Sequence, residues 1–325
     1  MADDRSVPVA KGQDTEWERR YERGAFAVLF LAFVLMPAFI YPRFGSQLLC
    51  FAMFACAFNL LIGFGGLLSF GHAMFFGMGS YLCAHAAKVW GFPVELAVLT
   101  GAAMAMVLGV LTGLLAIRRQ GIYFAMITLA LAQMMYFFYL QAPFTHGEDG
   151  IQAVPRGKLF GFIDLSSTLV MYYTVLVVFL LAFALIYRVV HSPFGQVLKA
   201  IRENEPRAIS LSYDAERYKL LAFVLSATLA GLAGATKAIV FQLASLTDVH
   251  WTMSGEVVLM TLLGGMGTIF GPVVGAFAIV GLESYLAVFG QWVTVITGAI
   301  FVVCVLAFRR GIVGELGAWW SKRRR

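Results

Sequence analysis

The chain has 325 residues, 60% of them hydrophobic and only 13% charged, with a mean hydropathy of +0.82. Soluble domains are roughly a quarter charged and under half apolar, so this composition excludes a soluble core and places the chain among polytopic membrane proteins. The net charge of +6 suggests nucleic acid at first sight, but the placement of the basic residues accounts for it otherwise.

The first 24 residues carry five basic and six acidic side chains and read as a cytoplasmic tail (1–24) or an interfacial helix. The first apolar run carries no small-residue cleavage site, so it is expected to be a retained helix and not a removable signal. Apolar runs follow near 25–42, 46–63, 73–90, 94–117, 121–142, 168–190, 219–241, 255–264, 272–289 and 291–308. At roughly 20 residues per crossing they predict about eight to ten transmembrane helices, the eighth run being too short to span alone. The runs lack the alternation of barrel strands. The expected fold is therefore an all-α transmembrane bundle over 25–308, with a cytoplasmic loop at 191–217 and a basic cytoplasmic tail at 309–325.

Two stretches are dense in glycine, "GFGGLLSFGHAMFFGMG" (63–79) and "LLGGMGTIFGPVVGAF" (262–277). Gly65, Gly66, Gly71, Gly264, Gly265, Gly267 and Gly271 are expected to permit close helix packing or broken, re-entrant segments. Gly65, Phe70 and Gly71 recur as Gly265, Phe270 and Gly271, which is either an internal repeat or a chance echo. Between them, the loop 142–167 closes two helices or offers a platform to an external protein.

With the N-terminus inside and ten crossings, 19 of the 24 Lys and Arg residues fall on the cytoplasmic side. That is the asymmetry the positive-inside rule predicts, and the pI of 9.2 then needs no nucleic acid. Alkaline phosphatase fused after Gly150 is expected to be active, and after Glu205 inactive; the reverse pattern overturns this orientation.

Catalytic signatures are missing. There is no P-loop, no H-E-x-x-H and no zinc-spaced Cys/His set, and "GLLSF" (66–70) lacks the second glycine of a nucleophile elbow. Cys50, Cys56, Cys83 and Cys304 read as core-filling residues, with no disulfide or metal site. Ionisable groups inside apolar runs cost about 2–3 kcal/mol on insertion scales and so mark functional candidates. Glu256 and Glu283 fit best, each either facing a wet cavity or sitting at a helix end. Lys237 can snorkel to the rim. Asn59, Ser69, His72, Tyr81, Thr128, Gln133 and Ser226 are candidate pathway liners, with packing as the simpler role for His72.

The polar island "SPFGQVLKAIRENEPRAISLSYDAERYKL" (192–220) stands apart. Val197, Ala200, Ile201, Ala208, Ile209 and Leu211 recur among its charges. This predicts one or two short amphipathic helices, since Pro206 breaks a single long one. A solvated loop needs no such apolar positions; a helix laid into a groove on a cytoplasmic protein does. A stand-alone secondary transporter or channel, with Glu256 and Glu283 as coupling groups, stays open. So does a membrane enzyme, though no constellation supports it.

"FNLLIGFGGLLSFGHAMFFGMGSY" (58–81), "GIYFAMITLALAQ" (121–133), "HGEDGIQAVPR" (146–156), "SPFGQVLKAIRENE" (192–205), "RYKLLAFVLSATLAGLAGA" (217–235) and "MSGEVVLMTLLGGMGTIFGPVVGA" (253–276) occur in this order. Together they resemble the M-type permease subunit of branched-chain amino acid ABC importers, over roughly residues 25–315. The resemblance implies a bacterial inner-membrane subunit, not an enzyme, that pairs with a second, similar permease. Two cytoplasmic ATPases would bind ATP and Mg2+, and a periplasmic binding protein would deliver cargo; related permeases handle urea, short amides and aromatic acids. It further implies that the island is the ATPase-coupling segment, with Gln196, Lys199, Arg202, Glu203, Asn204, Glu205, Arg207, Ala208 and Ser212 as its coupling residues. The family's Glu-x-Ala-Ala-x-x-x-Gly pattern is altered here, with Arg207 for one alanine and Ser212 for the glycine, so the helix start is expected to shift towards Pro206.

Overall fold

The computed structural model describes residues 14–307 and 311–315. They form α1 (Asp14–Phe39), α2 (Pro42–Asn59, continued by a π-helical turn, Leu60–Phe64), α3 (His72–Lys88), α4 (Val94–Ala116), α5 (Ile122–Gln141) and α6 (Thr168–His191). Two short helices, α7 (Pro193–Glu203) and α8 (Glu205–Ser210), precede α9 (Ala215–Phe241), α10 (Trp251–Gly264), α11 (Gly271–Leu286) and α12 (Val293–Ala307). Among the described residues five stretches can cross a membrane by length and composition: Pro42–Phe64, Val94–Ala116, Ile122–Gln141, Thr168–His191 and Ala215–Phe241. The other helices have shorter apolar lengths. Helix α1 already begins at Asp14, within the segment expected as a tail. Residues 1–13 lie outside the described residues, as does most of the expected basic tail; at residue 311 the chain rests against Gly264 and Gly265.

The bundle has an island end, carrying α7 and α8, and a loop end, carrying residues 142–167. Four two-residue strands order the loop end: β1 (Ile151–Gln152), β2 (Lys158–Leu159), β3 (Ile163–Asp164) and β4 (Leu243–Ala244). β1 pairs antiparallel with β4, and β2 with β3. Asp164 accepts from the Ser166 hydroxyl and amide, which hold its carboxyl below the usual range.

Lipid removes the hydrophobic drive between helices, so close backbone approach has to hold them together. Small residues at positions 101, 105, 109 and 113 form one face of α4. Gly109 faces Ala227 and Gly113 faces Phe223 on α9, while Gly101 lies against the Gly79 carbonyl of α3. A side chain at Gly231 would overlap Ala105, and one at Gly79 would overlap the Gly231 carbonyl. Gly231→Ala is accordingly expected to cost about 1–3 kcal/mol by overpacking. Thermal unfolding in detergent checks this, and an unchanged midpoint contradicts it.

Both glycine-rich stretches interrupt helices. Residues 66–71 are non-helical, and 265–270 form the turn between α10 and α11. Gly66 (φ 70°) and Gly267 (φ 75°) hold left-handed backbone that side chains disfavour. A third interruption carries no glycine. At Gln242 (φ 58°) the chain reverses, and 242–250 fold back into the bundle through β4 and a 3-10 turn, Leu246–Asp248. That reversal shortens the eighth apolar run. Irregular backbone at such depth persists only where protein surrounds it; Ala244, Leu246, Asp248 and Val249 are all buried.

Helices α3 and α10 thus both start inside the bundle and run to opposite ends. Their first turns meet where the Ala73 amide donates to Ser254 Oγ at 2.9 Å. The glycine echo does not follow this arrangement: the segment placed like 65–71 is 242–250, whereas 265–271 joins α10 to α11.

Candidate functional site

On the island, Ser192 caps α7 by accepting from the Gly195 amide, and Asn204 caps α8 by accepting from the Arg207 amide at 3.1 Å. Such caps fix where each helix begins. Pro206 lies in the first turn of α8, where its missing N–H is harmless. Ile201, Ala208 and Ala215 form a buried cluster with Val197 and Tyr218 against it. Glu205 Oε2 pairs with Lys219 Nζ at 2.6 Å and accepts from Gln120 Nε2 at 2.9 Å, which ties α8 to α9 and to the α4–α5 turn.

The coupling residues therefore divide. Ala208 is buried, Glu205 is spent on Lys219 and Gln120, and Arg202 donates to the Gly63 carbonyl. Ala208 and Glu205 brace the island from behind, whereas Arg202 makes its Gly63 contact from an exposed position. Lys199 lies over the Phe64 ring, 5.4 Å from its centroid. Gln196, Glu203, Asn204, Arg207 and Ser212 are exposed. Beside them Ile209, Leu211 and Tyr213 are 56%, 65% and 41% exposed, an outward apolar face; Tyr213 was not among the residues named from sequence. Ser212 has φ 67°, the left-handed backbone for which a glycine is the unstrained choice.

The interior candidates divide as well. Asn59 donates Nδ2 to the Thr268 carbonyl (2.9 Å) and accepts at Oδ1 from the Gly267 amide (3.0 Å). It is a buried staple between α2 and the α10–α11 turn, and both ends of its amide are used. Ser69 accepts from the Gly71 amide, and Thr128 Oγ1 accepts from the Phe70 amide, so both support the 65–71 segment. His72 Nε2 meets Ser226 Oγ at 2.8 Å, and its ring lies among Phe58, Phe75 and Phe223. Tyr81 stacks on Tyr139 at 4.7 Å, its hydroxyl buried without a partner among the described residues. Gln133, Glu256 and Glu283 are half-buried. Glu256 lies in the second turn of α10, which packs against α11; Gln133 lies on α5, whose Tyr136 ring is 5.2 Å from His250, the N-cap of α10.

Lys237 does not snorkel. Its ammonium contacts Asp248 Oδ1, and the side chains are only 13% and 1% exposed. Ser80 Oγ donates to Asp248 Oδ2 at 3.2 Å. Asp248 was missed from sequence, although a lone acid among apolar residues, close after a lone lysine, was the available signal. The pair pins the re-entrant 242–250 segment to α9 and α3. An apolar cleft of about 470 Å3 opens between Gly66–Phe70 and the first turns of α5, lined by Leu67, Ile122 and Met126. Among the described residues no His, Cys, Asp and Glu cluster could hold a metal ion.

Residues 42–305 match the protein family described as branched-chain amino acid transport system / permease component. The chain is 25% identical over 317 residues to the high-affinity branched-chain amino acid transport system permease protein LivM of Escherichia coli K12, covering 88% of this chain and 74% of that one. Against LivM of Salmonella typhimurium LT2 the identity is 25% over 316 residues, with the same coverage. No solved structure matches the chain.

Proposed function

The chain belongs to the family of permease components of branched-chain amino acid transport systems, and from that premise we propose that it forms half of the translocation path of an ATP-driven importer for branched-chain amino acids. It is a multi-pass inner-membrane protein. A second, similar permease completes the path, two cytoplasmic ABC ATPases bind ATP and Mg2+, and a periplasmic binding protein delivers cargo at the loop end. The island end and both termini face the cytoplasm. Nucleotide-driven closure of the ATPases moves α7 and α8, and the bundle alternates between states open to either side. Nucleotide can shift that equilibrium only by its differential affinity for the two states.

The observation that carries this reading is the outward face of Ile209, Leu211 and Tyr213. It rests on a scaffold fixed from behind by the Ile201–Ala208–Ala215 cluster and the Glu205–Lys219 pair. Apolar side chains held rigidly on a polar segment outside the membrane suit a groove on a soluble partner. Purification in mild detergent tests it: a sister permease and a P-loop ATPase are expected to accompany the chain. Solute transport by the isolated chain, driven by an ion gradient, would refute it.

A further inference from the structure

Arg202 touches both glycine-rich interruptions at once. Its Nη1 donates to the Gly63 carbonyl, in the π-helical turn that ends α2. Its stem lies across Gly66, where an added methyl would come within 2.8 Å of Cγ. Its Nη1 would also lie 3.3 Å from a methyl placed on Gly267, in the α10–α11 turn. Asn59 ties that turn to α2. Around Arg202, Leu198 is buried beside Gly65, and Lys199 covers Phe64. One face of α7 therefore sits on the joint where α2, the 65–71 segment and the α10–α11 turn converge.

We propose that Arg202 is a positioning residue, the link through which movement of α7 reaches the helices that follow both interruptions, α3 and α11. This rests on the importer reading above. The Gly63 carbonyl lies where a helix end leaves acceptors free, and a guanidinium gives it a charge-assisted hydrogen bond stronger than a neutral one. Nη1 holds that carbonyl and lies beside Gly267 while the stem crosses Gly66; an ammonium is a point charge without the spread of donors of a guanidinium and reproduces that hold only in part. π-helical turns recur at functional sites, and coupling requires an element with two arrangements that both sites bias; we assign that role to the 65–71 segment and the α10–α11 turn. Arg202 is exposed, but its Nη1 is engaged by its own chain at Gly63, which sets its role apart from that of the apolar face of Ile209, Leu211 and Tyr213.

The test uses the whole importer in proteoliposomes, with the wild-type chain, Arg202→Met and Arg202→Lys. In Arg202→Met the ATPases and sister permease should still co-purify in wild-type ratio, while stimulation of ATP hydrolysis by cargo-loaded binding protein falls about tenfold, a loss typical of a coupling contact. Arg202→Lys, which keeps the charge and inserts even if the methionine variant does not, should recover only part of the stimulation. Wild-type stimulation in either variant overturns the proposal. Loss of the ATPases from Arg202→Met also overturns it, because Arg202 would then be a docking residue. A wild-type chain that brings down no ATPase instead refutes the importer reading on which the proposal stands.

Discussion

Replacing Asp248 with alanine is expected to cost about 3–5 kcal/mol, the penalty for stranding one member of a buried ion pair. Lys237 would be left with its ammonium among Phe76, Phe241 and the apolar faces of α3 and α9, and Ser80 would lose its acceptor. The 242–250 segment would lose the tie that holds it inside the bundle. Folded protein should nearly vanish from detergent extracts, as read by size-exclusion yield and protease resistance. The double change Lys237→Met with Asp248→Leu removes both charges and should recover most of the yield, since apolar replacement of a buried pair is often neutral. Equal loss in the single and double variants would mean that the carboxylate does something besides neutralise the lysine.

The joint change Ile209→Asp and Leu211→Asp is expected to strip the ATPase subunits from the complex while leaving membrane insertion intact. Both side chains are more than half exposed, so the isolated chain has little to lose. At a docked interface, apolar anchors of this kind cost about 2 kcal/mol or more each when removed, roughly thirtyfold in affinity apiece. Co-purified ATPase per permease is the readout. Retention at the wild-type ratio would place the docking face elsewhere.

The membrane class and the island were legible because both are properties of local composition. Long apolar runs have one physical use in a chain this poor in charge, and amphipathic recurrence around Pro206 predicts short helices whatever the tertiary context. The division of labour among polar residues was not legible. Asn59 reads as a pathway liner until Gly267 and Thr268, more than 200 positions away, take up its amide. Glu205 reads as a free contact until Gln120 and Lys219 enclose it. Helix breaks at Gly66 and Gly267 announce themselves through glycine. The reversal at Gln242 does not, because it is stabilised by pairing with Ile151 and Gln152 and by Asp248 reaching Ser80, partners remote in sequence.

The encounter of the Ala73 amide with Ser254 leaves a thin partition across the protein. The helix of residues 72–88 is about 25 Å long and that of 251–264 about 21 Å, so each barrier is short. One is moored at its far end by Lys88 on the Gln152 carbonyl, and the other by Asn59 on Gly267. A slip of one turn, about 5.4 Å, in either helix would part the contact between Ala73 and Ser254 while the mooring of the other helix stays in place.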